Sequence, residues 1–104
     1  MLTKTIVAAA LSVLFAASPA FTAEHAVAIK DMKFVPADIE VAVGDTVTFT
    51  NLDNAPHTAT ATDGSFDTGR LNKGESASVT VGAAGTFPYI CEIHPSMEGS
   101  VAAN

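Results

Sequence analysis

The 104-residue chain sets five Lys and Arg against 11 Asp and Glu, a formal charge of −6. That balance argues against nucleic acid as a partner, because phosphates are held by a basic face. A single cysteine excludes an internal disulfide, which leaves that thiol as a small buried hydrophobe, a reactive group or a metal ligand.

The first residues read as an export signal. Lys4 precedes an apolar run from Ile6 to Ala17, and Ser18-Pro19-Ala20 supplies small residues at a cleavage position. The signal peptide is therefore placed at 1–20. Cleavage as late as Ala23 is the alternative, with Phe21 a poor match for it. The apolar run is shorter than the roughly 20 residues a membrane span needs, so no stable membrane insertion is expected after processing. Removing 1–20 takes away one cation, Lys4, and leaves a more acidic domain over 21–104. A domain of this size is marginal on its own and gains from a bound metal.

Beyond the leader, apolar residues recur with the period of strands. Val27 and Ile29 share a face, followed by Ile39, Val41 and Val43, then Val47 and Phe49. Val79 and Val81 come next, and Phe87, Tyr89 and Cys91 close the series. Thr46, Thr48 and Thr50 take the opposite face, the pattern of a half-buried antiparallel sheet. Turn pairs punctuate the strands at Gly44-Asp45, Asp53-Asn54, Asp63-Gly64, Lys73-Gly74 and Ala84-Gly85. Seven or eight short strands with such turns imply a single all-β domain, a Greek-key β-sandwich. No convincing helix follows the leader. Pro88 interrupts the last apolar series, and its missing N–H is expected to face away from a ladder partner.

The chemistry concentrates in Cys91-Glu92-Ile93-His94-Pro95-Ser96-Met97, with His57 upstream between Pro56 and Thr58. One thiolate and two imidazoles, with a weak axial methionine, are the donor set of a blue-copper electron-transfer site. Thiolate and thioether suit Cu(I), and imidazole suits both oxidation states. Taken singly, Cys91 reads as core, Met97 as core, His94 as loop punctuation and His57 as a surface histidine. Their joint occurrence in an exported β-rich chain favours the metal. His25 has no matching partner in the sequence and reads as incidental.

Through these residues the chain resembles the cupredoxins, and within them the amicyanins and their short plastocyanin-like relatives. The resemblance runs through Asp31 to Phe34, Val43 to Phe49, Asn51 to His57, and Ala84 to Phe87 into Cys91. The tight spacing of Cys91, His94 and Met97 is itself amicyanin-like. The resemblance implies one copper held by His57, Cys91 and His94 in the equatorial plane and by Met97 axially. The resemblance further implies an electron carrier; with the leader it favours the periplasm, and a monomer is the default expectation for a diffusing carrier. His94 would reach the surface within an apolar patch of Pro56, Pro95, Met32 and Met97, where redox partners dock transiently. Two positions depart from the family pattern. Thr58 stands where Asn is common, and is expected to brace the two ligand segments more weakly. Ile93 stands where proline is common, and its retained N–H is expected to point at the Cys91 sulfur and raise the potential.

All four coordination positions are filled by this donor set, whereas a catalytic metal keeps one open, so no enzyme activity is expected. A copper-carrying or copper-buffering protein would use the same ligands and is the competing function. A cysteine enzyme with Cys91 as nucleophile leaves Met97 unexplained.

Overall fold

The computed structural model describes residues 22–104; the proposed leader at 1–20 lies outside the described residues. Eight strands follow in order: β1 (Glu24–Lys30), β2 (Lys33–Val35), β3 (Asp38–Val41), β4 (Thr46–Asn51), β5 (Thr60–Ala61), β6 (Ser76–Thr80), β7 (Gly85–Ile90) and β8 (Glu98–Ala103). Among the described residues there is no helix, and hence none long and apolar enough to cross a membrane. The first sheet has the order β2-β1-β4-β6 and the second β3-β8-β7-β5.

The sheets are mixed rather than antiparallel throughout. β1 runs parallel to β4, and β3 runs parallel to β8. These pairings arise because the chain repeatedly crosses from one sheet to the other, so strands adjacent in sequence seldom pair. The alternating pattern still sorts the faces. Val27 and Ile29 of β1 and Val47 and Phe49 of β4 point inward and are buried. Thr48 and Thr50 lie outward, hydrogen-bonded at 2.7 Å to Ser78 and Ser76 of β6. Val43 departs from its expected place. It falls beyond the end of β3 and is exposed, with its N–H bonded to the Asn104 carbonyl at 3.1 Å.

Aromatic rings fill the space between the sheets. Tyr89 sits with its ring centroid 4.7 Å from Phe34, 5.4 Å from Phe49 and 5.8 Å from Phe66, an arrangement that adds to the burial of apolar area. Its hydroxyl donates to the Ala37 carbonyl at 3.1 Å, so the buried polar group is satisfied. Burial, aided by the Asp38 charge, pushes the Tyr89 phenol far above its ordinary value. Gly99 lies opposite Tyr89 in the β7–β8 ladder. A Cβ at Gly99 would collide with the Tyr89 ring and the Ala37 carbonyl.

Pro88 lies in an interior strand opposite Ser100. The Ser100 N–H turns to the Ala37 carbonyl instead of β7, so this pair exchanges no ladder bonds. The Pro88 carbonyl accepts from the Thr62 N–H at 2.9 Å. In an extended strand a residue's nitrogen and carbonyl face the same side. The missing donor thus points away from β8 but toward Thr62, just past the short β5, so the expectation that it faces no ladder neighbour holds on the β8 side alone.

His25 has a partner, contrary to expectation. Its Nε2 lies 2.9 Å from Asp45 Oδ2. Asp45 is buried and also accepts the N–H groups of Ala23 and Ala42, each at 2.9 Å. These bonds, that of His25 foremost, lower the Asp45 carboxyl to about 2. The contact is tertiary, joining β1 to the turn before β4, and nothing local in the sequence signals it.

Candidate metal centre

Two segments meet at one end of the sandwich. The first runs from β4 to β5 and is organised by Asn51, whose side chain is fully buried. Asn51 Nδ2 donates to the carbonyls of Ala55 and Leu71, both at 2.9 Å, and its Oδ1 accepts the Asp53 N–H. His57 follows, pinned by reciprocal backbone bonds to Leu71 at 3.0 and 2.7 Å. The second segment is the β7–β8 connection. It closes through Cys91 N–H to Met97 O at 3.2 Å and Met97 N–H to His94 O at 2.9 Å.

These segments bring three donor atoms together. Cys91 Sγ lies 3.6 Å from His57 Nδ1 and 3.8 Å from His94 Nδ1, and all three atoms fall within 4.8 Å of one another. Typical bond lengths of about 2.0 Å to imidazole and about 2.3 Å to thiolate, at trigonal angles, separate N from S by about 3.7 Å. Both sulfur–nitrogen distances in the cluster therefore match a metal-bound geometry. His57 and Cys91 are fully buried and His94 half-buried. The two rings stand 5.0 Å apart at 60°. Met97 is buried at the end of the same loop.

A carboxylate prepares His57 for a metal. Asp53 Oδ2 lies 2.9 Å from His57 Nε2. A carboxylate only accepts, so Nε2 carries the proton and the Nδ1 lone pair faces Cys91. Such outer partners fix a ligand's tautomer and orientation. Asp53 also accepts the N–H groups of Asp31 at 2.8 Å and Met32 at 2.9 Å. Both residues have positive φ, 53° and 60°, an uncommon conformation for residues with side chains. The Met32 N–H, followed by the Asp31 N–H and His57, holds the Asp53 carboxyl below its ordinary value against the opposing effect of burial. Sequence reasoning missed Asp53 and Asn51. The available signal was the spacing of Asp53, four residues before His57.

Thr58 forms the expected brace. Its Oγ1 accepts the Glu92 N–H at 2.9 Å, and its own N–H donates to Cys91 Sγ at 3.3 Å. The expectation for Ile93 fails. Among the described residues Thr58 supplies the one backbone N–H bonded to Cys91 Sγ, because the upstream segment rather than the ligand loop presents a donor to the sulfur. Met97 likewise drops out of the expected surface patch, because it is buried. Met32, Leu52 and Ile93 are the exposed large apolar residues here, with Pro95 exposed and Pro56 half-buried. The Met32 turn is tied to His57 through Asp53, Leu52 adjoins Asp53, and Ile93 adjoins His94.

A two-sheet sandwich with a buried Cys and two His from separate loops at one end is the architecture of the cupredoxins. A family model described as a cupredoxin-like domain matches residues 4–103, and the chain belongs to this family. It is similar to amicyanin from Paracoccus denitrificans, 35% identical over 92 residues, covering 84% of this chain and 70% of that protein. Amicyanin-alpha from Methylorubrum extorquens is 34% identical over 80 residues, covering 72% and 67%. A solved Cu(I) form of an amicyanin variant superposes with TM-score 0.73 at 35% identity, covering 86% of this chain and 89% of that one. A purple cupredoxin from Nitrosopumilus maritimus gives TM-score 0.70 at 26% identity, covering 77% and 99%.

Proposed function

We propose that this protein is a type 1 blue-copper electron carrier, exported to the periplasm after removal of residues 1–20. His57, Cys91, His94 and Met97 would hold the copper. The observation that carries this reading is the Cys91 Sγ poised 3.6 Å and 3.8 Å from two imidazole nitrogens. Copper bound there supplies a one-electron Cu(II)/Cu(I) couple.

The chain's own residues define how that couple is used. Asp53 holds the His57 tautomer, and Thr58 N–H withdraws charge from the thiolate. Both loops are fixed by hydrogen bonds, so little needs to move when an electron arrives. The half-buried His94 is the route to the surface. Around it, Met32, Pro56, Ile93 and Pro95 offer an apolar surface for brief encounters with redox proteins. The carrier works as a monomer and catalyses no bond-making reaction. A copper-buffering role is disfavoured by the complete burial of His57 and Cys91, which hinders the ligand exchange that copper transfer requires.

The test is direct. Cu(II) added to the protein from residue 21 onward should give an intense blue colour that reductant bleaches and that Cys91→Ser lacks. A colourless copper complex would overturn the reading. Rapid copper loss to an acceptor protein, without fast electron exchange, would transfer the assignment to copper carriage.

A further inference from the structure

Thr58 grips the Cys91 loop at two points, and one of them continues outward. Its N–H reaches Cys91 Sγ at 3.3 Å, and its Oγ1 accepts the Glu92 N–H at 2.9 Å. Thr58 Oγ1 also lies 2.9 Å from Thr60 Oγ1, and Thr60 donates to Asp67 Oδ1 at 2.9 Å. Each hydroxyl has one proton and a carboxylate has none to give. The Thr60 proton is therefore committed to Asp67, and the Thr58–Thr60 contact uses the Thr58 proton. That leaves the Thr58 lone pairs for the Glu92 N–H. The direction of the whole chain is set from its outer end.

We infer that Thr60 and Asp67 are positioning residues for the Cys91 sulfur, acting through Thr58. Fixing the Thr58 hydroxyl fixes Glu92, the residue directly after Cys91, and with it the N–H to sulfur contact. The outer end is itself anchored. Asp67 Oδ1 accepts the Gly69 N–H at 2.8 Å, Thr60 and Asp67 form a β-bridge, and Thr68 Oγ1 accepts the Ala59 N–H at 2.9 Å. Successive hydrogen bonds also polarise one another, so losing the terminal acceptor weakens the bond at Glu92. An N–H bonded to the thiolate stabilises the more electron-rich, reduced site. Loosening the relay therefore lowers the reduction potential. The spectroscopic consequence rests on the copper reading above, whereas the hydrogen-bond consequence does not.

The experiment has two arms, both on the protein from residue 21 onward. In the metal-free protein, amide exchange at Glu92 should quicken about fivefold or more in Thr60→Val and Asp67→Ala. Thr60→Ser and Asp67→Asn, which keep a hydroxyl and an acceptor, should exchange at the parent rate. The amides of Val27 and Val47 in the central strands should stay at the parent rate in every variant, excluding global opening. In the copper-loaded protein, Thr60→Val should shift the thiolate charge-transfer band and lower the potential in the same direction as Thr58→Val. The double variant should go no further than Thr58→Val alone. Parent-like exchange at Glu92 in Thr60→Val, or effects of the two substitutions that add, would overturn the inference. A colourless parent would sink the copper reading, and the exchange arm would then decide the relay alone.

Discussion

Asp53 Oδ2 lies 2.9 Å from His57 Nε2, and the same carboxylate caps the Asp31 and Met32 N–H groups. One side chain therefore sets a ligand's tautomer and holds the left-handed turn that presents Met32 to solvent. Removing it frees the imidazole to rotate and to protonate on either nitrogen. Asp53→Ala is expected to weaken copper binding by about 10–100-fold, measured by competition with a chelator of known affinity. Asp53→Asn, whose amide oxygen still accepts, should lose less. Parent-like affinity in Asp53→Ala would show that backbone packing alone orients His57.

The candidate ligands stand out in the sequence because they are chemically distinctive and three of them lie within seven residues, and the fold brings His57, Cys91 and His94 together. The strands were legible because Val27, Ile29, Val47 and Phe49 keep a strict period of two. That period tells which face a residue takes but not which strand lies beside it, so the parallel β1–β4 and β3–β8 pairings escaped notice. Asp53 was hidden for a related reason. An aspartate beside an asparagine reads as a turn residue, and only the folded loop turns its carboxylate to His57. His25 and Asp45 stand 20 residues apart, and Thr60 and Asp67 acquire meaning only through Thr58.

The Asp45 pair sets an acid limit on stability. Hydrogen bonds from His25, Ala23 and Ala42 lower this carboxyl to about 2, below the ordinary value of about 3.9. The folded state thus favours the ionised form. Its contribution is complete above the ordinary carboxylate range and is lost as pH falls from about 4 to about 2. Asp45→Asn should therefore cost most at neutral pH, with the difference from the parent shrinking across that window in denaturant unfolding. A difference independent of pH would mean that the carboxylate charge is irrelevant and only the shape of the side chain matters.

Gly99 is a packing position, and a side chain placed there is expected to destabilise the sandwich. Any Cβ meets the Tyr89 ring and the Ala37 carbonyl, while Tyr89 is wedged among Phe34, Phe49 and Phe66. Gly99→Ala must push β8 away or displace the tyrosine from its bond to Ala37. Overpacking of this kind costs about 1–3 kcal/mol, and the rigid neighbours place Gly99→Ala near the upper end. Urea unfolding should show a lower midpoint with an unchanged slope. A midpoint equal to the parent's would show that the sheets can slide apart locally at no cost.

Ile93 carries the remaining question about the sulfur. The Thr58 N–H is the one backbone donor to Cys91 Sγ among the described residues, and the Ile93 side chain is exposed. Replacing Ile93 by proline deletes an N–H that the sulfur does not use. It also restricts Glu92, the preceding residue, toward extended conformations, so the Glu92 bond to Thr58 serves as the internal control. With that amide still protected, Ile93→Pro should keep the parent reduction potential and charge-transfer band, as measured by voltammetry and absorption. A fall in potential with Glu92 intact would mean that a second N–H reaches the sulfur in the copper form. The electron density on the thiolate would then be set by both loops instead of by Thr58 alone.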